Sequence, residues 1–254
     1  MIDQDKNFDE LITNFRQRIY DSDKGNWRLK ILCEDVEPYL PDKTLEVFDA
    51  GCGLGQFGLW LAQKNHSLTM CDLSSKMLDE AKKRFSDVGC EADFYHGAFQ
   101  TFDDNHKQYD LVVFHAVIEW LANPLEGLKK ILSKVKGGGL VSLMFYNRNA
   151  MVYANVLKGQ WRLKAIIEDS YIGKGNKLSP PYPQYPYEME SLITEAGFSV
   201  EVYSGIRVFH DYLAEDALAK TNLDELFELE QRFCRMPVYR DMGRYVHMLC
   251  KKID

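Results

Sequence analysis

Short apolar runs alternate with helical stretches between residues 44 and 146. Such alternation is the sequence form of strand, helix, strand units, which place the strands side by side in parallel with helices against the sheet. The predicted strands are residues 45–48, 68–71, 93–96, 110–114 and 140–145, and a helix is predicted over residues 75–85. This part of the chain therefore predicts a doubly wound parallel sheet.

A second helix is predicted over residues 124–135. Its apolar side chains recur at helical spacing and should form one buried face. They are Leu125, Leu128, Ile131 and Leu132. The glycines at 137, 138 and 139 should then end the helix before the next strand, because glycine readily takes the left-handed conformation that follows many helices.

The alternation breaks over residues 147–187. Loops are expected there at residues 174–177 and 180–183, around a helix at 151–167, and we interpret the segment as an insertion or lid. Beyond it, the predicted elements are a helix at 187–196, a strand at 200–208, a helix at 215–233 and a strand at 244–250. The two late strands should extend the sheet.

The chain has 254 residues, a length that one α/β domain often reaches. The expected fold class is α/β, a Rossmann-like, doubly wound, mostly parallel seven-stranded sheet with an N-terminal helical arm and an inserted lid region. A single domain over residues 1–254 is expected. Its parts are an N-terminal helical arm at 1–43, helical roughly over 8–40, a cofactor-binding core at 44–146, the insertion or lid at 147–187 and the C-terminal part of the sheet at 188–254.

Composition narrows the class of protein. Hydrophobic residues make up 46% of the chain and charged residues 27%, as is ordinary for a protein with a packed core. The chain has no run of about 18 apolar residues and starts with a polar segment, so we predict no membrane span, no secretory signal and a cytoplasmic location.

The six cysteines lack the spacing of a zinc site or a disulfide framework, so free thiols and no metal are expected. With a net charge of -7, any nucleic-acid partner must be held by a local basic patch.

Three glycines, Gly51, Gly53 and Gly55, follow the first predicted strand and precede a helix that begins near Gln56. Glycines let the backbone approach a ligand closely, so this turn is a candidate cofactor site. Dinucleotide-binding enzymes use a similar turn. Asp49 before the glycines, and the absence of a further glycine at the dehydrogenase spacing, instead resemble class I methyltransferases.

Three further strand ends should face the same crevice. Asp72 ends the second strand, where a carboxylate can accept hydrogen bonds from two ribose hydroxyls, although Asp72 or Ser74 could simply cap the next helix. Phe99 and Gln100 follow the third strand and could cover an adenine ring and bond its edge. His115 follows the fourth strand. Ordinary packing is the alternative role for Phe99 and His115.

Five segments carry a more specific resemblance: residues 49–53, 114–120, 143–147, 208–212 and 243–247. Together they resemble the bacterial tRNA 5-carboxymethoxyuridine methyltransferase family, and the similarity extends from residue 7 to the last predicted strand. The resemblance implies transfer of a methyl group from S-adenosylmethionine to the carboxylate of 5-carboxymethoxyuridine at the tRNA wobble position, which forms a methyl ester. On matching positions, the cofactor contacts fall on Arg28, Gly51, Cys52, Asp72, Phe99, Gln100 and His115. Cys52 departs from the glycine of the relatives, but a small side chain is tolerable there.

The implied reaction needs no general base, because a carboxylate with a pKa of about 4 is already an anion at neutral pH. We therefore expect no general base, assign no catalytic residue from the sequence, and expect catalysis by positioning and exclusion of water. Cationic or hydroxyl donors must still recognise the substrate carboxylate. The candidates lie near the ends of late strands and are Tyr146, Arg207, Tyr212 and Arg244; ordinary packing or surface roles are the alternative.

The insertion is rich in basic side chains. Its six basic residues face only two acidic ones, Glu168 and Asp169. The basic residues are Arg148, Lys158, Arg162, Lys164, Lys174 and Lys177. We predict that this patch contacts the phosphates of a tRNA anticodon stem-loop, with Trp161 or the tyrosines at 182, 185 and 187 stacking on unpaired bases. The alternative is an ordinary solvated face.

Three alternatives to this function remain open at the level of sequence. A small-molecule carboxyl or oxygen methyltransferase would share the cofactor motif but would not need the basic insertion. A non-catalytic S-adenosylmethionine-binding RNA adaptor would keep the fold without turnover. A carboxylated analogue could also replace S-adenosylmethionine as the cofactor.

Overall fold

The computed structural model describes residues 4–10, 12, 22–168, 170 and 180–253. Seven strands form one sheet in the order β3-β2-β1-β4-β5-β7-β6. The strands are β1 (Glu46–Ala50), β2 (Ser67–Asp72), β3 (Asp93–His96), β4 (Tyr109–His115), β5 (Val135–Tyr146), β6 (Phe198–Ile206) and β7 (Tyr245–Lys252). Strands β1 to β5 pair in parallel, whereas β7 is antiparallel to both β5 and β6. The predicted seven-stranded, mostly parallel sheet is confirmed.

The strand order reverses beside β1, because β2 lies on one side of it and β4 on the other. The connections that follow these strands leave in opposite directions, so a crevice opens at the carboxyl ends of β1 and β4. Gly51 to Gly55, Asp72 and His115 all follow or end strands at this edge. The topology therefore gathers the predicted cofactor residues at one edge of the sheet.

Helices cover both faces of the sheet. They are α1 (Asp23–Val36), α2 (Gln56–Gln63), α3 (Ser75–Asp87), α4 (Pro124–Ser133), α5 (Arg148–Lys158), α6 (Trp161–Ile167), α7 (Pro186–Glu195), α8 (Glu215–Leu218) and α9 (Leu223–Phe233). Val112 and Phe114 of β4 share one core cluster with residues of α4 and α7, while Leu111 and Val113 share another with α1, α2 and α9. Because both faces are buried, β4 reads as a continuous apolar run in sequence.

Two expectations around α4 are wrong. Leu125 is 53% exposed, whereas Leu128, Ile131 and Leu132 are buried. Leu125 lies in the first turn of α4 and is not part of the buried core. The helix ends at Ser133, before the glycines.

The three glycines lie inside β5 instead of terminating the preceding helix. Gly138 has a positive φ of 67°, and the pairing of β4 with β5 shifts register between Tyr109 and Leu111. A side chain at Gly139 would come within 3.0 Å of the Asp110 carbonyl oxygen. The glycines therefore allow an irregular strand pairing, which a local helix-stop signal cannot reveal.

Two predicted helices are each interrupted. The helix expected at 151–167 is divided into α5 and α6 by Gly159 and Gln160, which both have positive φ. The helix expected at 215–233 is divided into α8 and α9, and the Asn222 side chain accepts hydrogen bonds from the first turn of α9. In the N-terminal arm, α1 leads into a 3₁₀ turn at Glu37–Tyr39.

The described residues contain no helix long and apolar enough to cross a membrane. The same residues contain no cluster of histidine, cysteine, aspartate and glutamate able to hold a metal ion. All six cysteines are free, and three of them are buried. The loop predicted at 174–177 lies outside the described residues.

Candidate active site

A pocket lies at the carboxyl ends of the central strands, beneath the N-terminal segment. Eight of the nine predicted cofactor residues line it: Arg28, Gly51, Cys52, Gly53, Asp72, Phe99, Gln100 and His115. Gly55 is not part of the lining. It precedes α2 with a φ of 72°, and a side chain there would press on Ala81 of α3 at 3.0 Å. Its place in the motif is therefore to let the turn enter α2 close to α3.

The glycine turn is bound to the neighbouring strand. The backbone N–H groups of Gly51 and Cys52 donate to the Cys71 carbonyl oxygen at 2.8 and 2.9 Å. Gly51 has a φ of 75°, and a Cβ atom there would lie 2.5 Å from a methyl group of Val117. Glycine is required at this position both for its backbone conformation and for the space above it.

Asp72 is held at the end of β2 by two backbone donors. Its Oδ2 accepts from the Gly53 N–H and its Oδ1 from the Ser74 N–H, both at 2.8 Å. Ser74, not Asp72, caps α3, because the Ser74 hydroxyl accepts from the Met77 N–H. Burial raises the pKa of Asp72, and the two N–H donors offset part of that rise. The carboxyl group is thus fixed in direction at the pocket wall.

Asp49 also lines the pocket and was absent from the predicted cofactor set. It is 3% exposed, and its carboxyl group has no hydrogen-bond partner among the described residues. Burial, followed by the charge of Asp72, raises the pKa of Asp49 to about 8. A cationic group in the pocket would favour the ionised form of this carboxyl. The sequence signal was an acid two residues before the first glycine.

Phe99 and Gln100 sit where the third strand ends. Phe99 packs edge to face on Phe114 at 5.3 Å and borders the pocket, so its packing role and its pocket position coexist. Gln100 donates to the Asp5 carboxylate at 2.8 Å, while its Oε1 is buried without a partner among the described residues. The free acceptor leaves Gln100 able to bond a ligand.

Residues 5–9, which we call the N-terminal strap, lie across the pocket. Asp5 accepts from the Ala122 N–H at 2.8 Å, Phe8 packs edge to face on Trp120 at 5.0 Å, and Asp9 accepts from the Ser74 hydroxyl at 2.5 Å. Sequence patterns missed this cover because nothing local links the strap to residues 74 and 120. Asp5, Lys6 and Phe8 of the strap therefore form part of the pocket lining.

The four predicted substrate residues come together beside the pocket. The Arg244 guanidinium lies 4.7 Å from the centre of the Tyr146 ring, and the Arg207 guanidinium lies 5.4 Å from that of Tyr245. Tyr245 also lines the pocket. The Tyr212 hydroxyl donates to the Met242 carbonyl oxygen at 2.6 Å. The cluster thus adjoins the pocket through Tyr245.

One carboxylate serves both arginines of this cluster. Asp211 Oδ2 lies 3.2 Å from Arg207 Nη2 and 3.6 Å from Arg244 Nε. Burial alone would raise the pKa of Asp211, but Arg207, the hydrogen bond from His210 and Arg244 hold it well below its usual value. Arg207 Nε is buried without a partner among the described residues. Two guanidinium groups facing one carboxylate leave a local excess of positive charge.

Glu119 is a second buried acid that the sequence did not single out. It is fully buried, and neither of its carboxyl oxygens has a hydrogen-bond partner in the described part of the chain. Burial raises the pKa of Glu119 to about 8, and the nearby backbone N–H groups of Glu119 and Tyr146, followed by the charge of Arg28, offset only part of this rise. Burial raises the pKa of Tyr245, and the negative charge of a Glu119 carboxylate acts in the same direction. Glu119 therefore lies near Arg28 and Tyr245, two residues of the pocket lining.

The basic patch lies on α5 and α6 so far as the structure describes it. The guanidinium of Arg148 stacks 5.3 Å from the Tyr185 ring, and that of Arg162 lies 4.7 Å from the ring of Trp161. Lys158 is exposed, and Lys164 Nζ lies 3.6 Å from Glu168 Oε1. Apolar side chains are exposed beside them, Leu157 and Ile167 among others. Lys174 and Lys177 lie outside the described residues.

Residues 47–139 match the family profile described as a methyltransferase domain. Over 261 aligned residues, the chain is 36% identical to the tRNA 5-carboxymethoxyuridine methyltransferase of Escherichia coli (strain K12), with coverage of 98% of this chain and 97% of the relative. The chain belongs to the tRNA 5-carboxymethoxyuridine methyltransferase family. A ubiquinone biosynthesis O-methyltransferase of Shewanella pealeana is 29% identical over 115 residues, 45% of this chain and 49% of that protein.

Solved structures support the fold. Magnesium protoporphyrin IX methyltransferase from Synechocystis, solved with bound SAH, superposes with a TM-score of 0.65 at 15% identity and 96% coverage of both chains. A possible histamine N-methyltransferase from Thermotoga maritima superposes with a TM-score of 0.61 at 15% identity, covering 96% of this chain and 97% of that one. At this identity, the likeness concerns the fold alone. Membership of the family rests on the full-length similarity to the Escherichia coli protein.

Proposed function

We propose that this protein transfers a methyl group from S-adenosylmethionine to the carboxylate of 5-carboxymethoxyuridine at the wobble position of tRNA, forming the methyl ester. The observation that carries the proposal is the cluster of Arg207, Arg244 and Asp211 beside the pocket. An anionic substrate group would balance its excess positive charge. Family membership supplies the tRNA substrate, and an enzyme acting on tRNA is expected in the cytoplasm.

The pocket suits an adenosyl amino acid. Asp72 offers a fixed carboxyl to ribose hydroxyls, and Gln100 keeps a free acceptor next to the ring of Phe99. Asp49 would accept an ammonium group, and Arg28 would pair with a carboxylate. S-adenosylmethionine, when bound, supplies an electrophilic methyl group. The glycine turn leaves room for the backbone to approach such a ligand.

The residues of this chain then act by orientation and desolvation. The substrate carboxylate is already an anion, so no group has to remove a proton from it. Arg207 and Arg244 would orient this carboxylate through their N–H groups, and Asp211 limits how strongly they hold it. A moderate hold matters because a tight ion pair would weaken the nucleophile. The N-terminal strap excludes water, which favours a reaction in which opposite charges neutralise each other.

We further propose that α5 and α6 contact the anticodon stem-loop. Arg148, Lys158, Arg162 and Lys164 give this face positive charge in an acidic protein. The exposed ring of Trp161 offers a stacking surface for an unpaired base. Phosphate contacts and stacking together are the usual means of holding a single-stranded loop.

The proposal is tested by nucleoside mass spectrometry of tRNA from cells that lack this activity. After incubation with protein and S-adenosylmethionine, 5-carboxymethoxyuridine should become its methyl ester, and Asp72→Ala should abolish conversion. Asp87→Ala, which removes an exposed carboxyl at the end of α3, is the control and should convert fully. Cofactor binding without conversion would reject the proposed substrate. Equal conversion of the free nucleoside would indicate a small-molecule enzyme.

A further inference from the structure

A chain of buried hydrogen bonds runs from α1 to the pocket. His247 Nδ1 lies 2.7 Å from Asp35 Oδ2, and His247 Nε2 lies 2.9 Å from the Ser142 hydroxyl. The same hydroxyl lies 2.7 Å from His115 Nε2. Asp35, Ser142 and His247 are buried in the core, whereas His115 lines the pocket. The chain thus crosses the sheet from β7 through β5 to β4.

The hydrogen-bond chain begins, at the end far from the pocket, with the Asp35 carboxylate, which only accepts hydrogen bonds. Asp35 Oδ1 accepts from the Ser204 hydroxyl at 2.9 Å and from Arg235 Nε at 2.8 Å. Burial alone would raise the pKa of Asp35, but the hydrogen bond from His247 and the charge of Arg235 hold it below its usual value. An ionised carboxylate has no proton to give. His247 must therefore donate through Nδ1.

This direction of donation propagates to the pocket. At a pH where imidazoles are uncharged, a His247 that donates through Nδ1 keeps a lone pair on Nε2, which accepts the proton of the Ser142 hydroxyl. The Ser142 oxygen then offers only its lone pairs to His115, so His115 donates through Nε2. His115 Nδ1 is left with a lone pair. Burial above all holds the pKa of His115 well below its ordinary value, which keeps the ring neutral.

The remaining nitrogen of His115 is open to the pocket. It makes no hydrogen bond to the described residues, and it is not among their enclosed atoms without a partner. We propose that Asp35, His247 and Ser142 are positioning residues that hold His115 in the tautomer protonated on Nε2, so that Nδ1 presents a lone pair to a donor or cationic group in the pocket. The choice of occupant rests on the proposed function, since S-adenosylmethionine carries both kinds of group.

Asp35→Asn tests the relay without disturbing its shape. The amide oxygen can replace Oδ1 toward Ser204 and Arg235, and the amide nitrogen can replace Oδ2 toward His247. Every donor in the chain then reverses: His247 donates through Nε2, Ser142 donates to His115 Nε2, and His115 Nδ1 carries the proton. Asp35 is three hydrogen bonds away from His115. Its substitution should nevertheless move the proton of the His115 ring from Nε2 to Nδ1.

The primary measurement is ¹⁵N NMR of histidine-labelled protein at about pH 8, where histidines are ordinarily neutral. The His115 signals are assigned by comparison with His115→Gln. In the wild-type protein Nδ1 should be pyridine-like and Nε2 pyrrole-like, and Asp35→Asn should exchange the two. Ser142→Ala should abolish the exchange when combined with Asp35→Asn. A protonated Nδ1 in the wild type, or no response to Asp35→Asn, would overturn the relay.

Ser204→Ala is the matched control. It removes a buried hydroxyl that donates to the same Asp35 carboxylate but lies outside the chain to His115. The His115 tautomer should stay as in the wild type. A tautomer change in this control equal to that of Asp35→Asn would mean that any loss of packing around Asp35 moves His115, which overturns the directional relay.

Calorimetric titration with S-adenosylmethionine then tests what the lone pair recognises. Asp35→Asn should weaken binding roughly tenfold, equivalent to about 1.4 kcal/mol, while Ser204→Ala should leave it unchanged. Exchanged tautomers with unchanged affinity would overturn the role of Nδ1 in the pocket. Failure of the wild-type protein to bind S-adenosylmethionine would overturn the proposed function, whereas the NMR signals of the free protein decide the relay separately.

Discussion

Asp49 is a buried acid that lines the pocket, where it could pair with a cationic group of a ligand. Its carboxyl lacks a hydrogen-bond partner among the described residues, and burial next to Asp72 raises its pKa to about 8. A group placed at the expense of folding stability is typical of a binding site, because the ligand supplies the missing partner. Asp49 should therefore lower the folding stability of the free protein and raise its affinity for a ligand with a cationic group.

Asp49→Asn is predicted to stabilise the free protein, increasingly so as pH rises. The folded-state pKa of about 8 lies above the ordinary value of 3.8, so between these values the folded protein holds a proton that the unfolded chain has released. The contribution of the protonated carboxyl is complete below about pH 3.8 and is lost as pH rises to about 8, by up to about 1.4 kcal/mol per pH unit. Urea unfolding of both proteins from about pH 5 to about pH 8 measures the difference.

Asp87→Asn makes the same chemical change at an exposed position and is the control. The advantage of Asp49→Asn over the wild type should be larger at the upper end of the pH range than at the lower end. In calorimetry, the same variant should bind S-adenosylmethionine more weakly. A stability difference that does not vary with pH would contradict the pKa assigned to Asp49.

Arg244→Gln is predicted to impair use of the substrate while leaving cofactor binding intact. The change removes one of the two cations that share Asp211 and so removes the local excess of positive charge. Loss of one charged hydrogen bond corresponds to about 1.5–3 kcal/mol, so kcat/KM for tRNA should fall roughly 10- to 150-fold. Arg232→Gln, an exposed arginine on α9, is the control. An equal loss of affinity for S-adenosylmethionine would place Arg244 in the cofactor site instead.

At the scale of elements, the turn from β1 to α2 depends on two separate properties of Gly51. Its φ of 75° lies in the left-handed region, and the space above its Cα is filled by Val117. Gly89, after α3, has a similar φ of 69° but no atom within 4 Å of the position where a Cβ would lie. A comparison of Gly51 with Gly89 therefore distinguishes the effect of backbone strain from that of a steric clash.

Gly89→Ala should cost about 1 to 2 kcal/mol of unfolding free energy, which is the strain of a side chain in the left-handed region. Gly51→Ala should cost clearly more, because the new methyl group also collides with Val117 or displaces it from the pocket wall. Only Gly51→Ala should weaken cofactor binding. Urea unfolding and calorimetry compare the two variants, and equal losses in both proteins would refute the steric part of the argument.

At the scale of the whole molecule, a chain with a net charge of -7 must confine any RNA contact to one region. The described basic residues of α5 and α6 lie beside exposed apolar side chains, and the arginine cluster next to the pocket holds the positions proposed for the substrate carboxylate. Contacts with the tRNA phosphates are therefore proposed for α5 and α6, and recognition of the substrate carboxylate is proposed for the arginine cluster.

Reversing charge at Lys158, Arg162 and Lys164 to glutamate is predicted to weaken tRNA binding and to flatten its dependence on salt. Each lost phosphate contact should reduce the slope of log K against log salt by about 0.7 to 0.9. Affinity for S-adenosylmethionine should not change. The control variant reverses Lys82, Lys83 and Lys129, which are exposed on α3 and α4. An equal loss of tRNA binding in the control would show that net charge alone, not this face, governs binding.

The parallel core and the cofactor turn were predictable from sequence because their signals are local. Apolar runs of strand length, Asp49 and the glycines, and Asp72 at the end of β2 all act within one strand, turn and helix. Leu125 and the glycines at 137–139 were assigned wrongly because helix packing and strand register depend on partners elsewhere in the chain. The helix interruptions at Gly159 and Asn222 have local causes, a positive φ and a side-chain cap, which helical spacing alone does not predict.

Tertiary structure alone decided the groupings that join distant positions. Asp35 and His247 are 212 positions apart, and Ser142 is 105 positions from His247, so no sequence window contains the relay. Glu119 is an ordinary polar residue in sequence, and only its burial without a partner marks it. Local periodicity therefore determined the sheet and the turn, whereas burial, partner choice and pKa were set by residues brought together when the sheet formed.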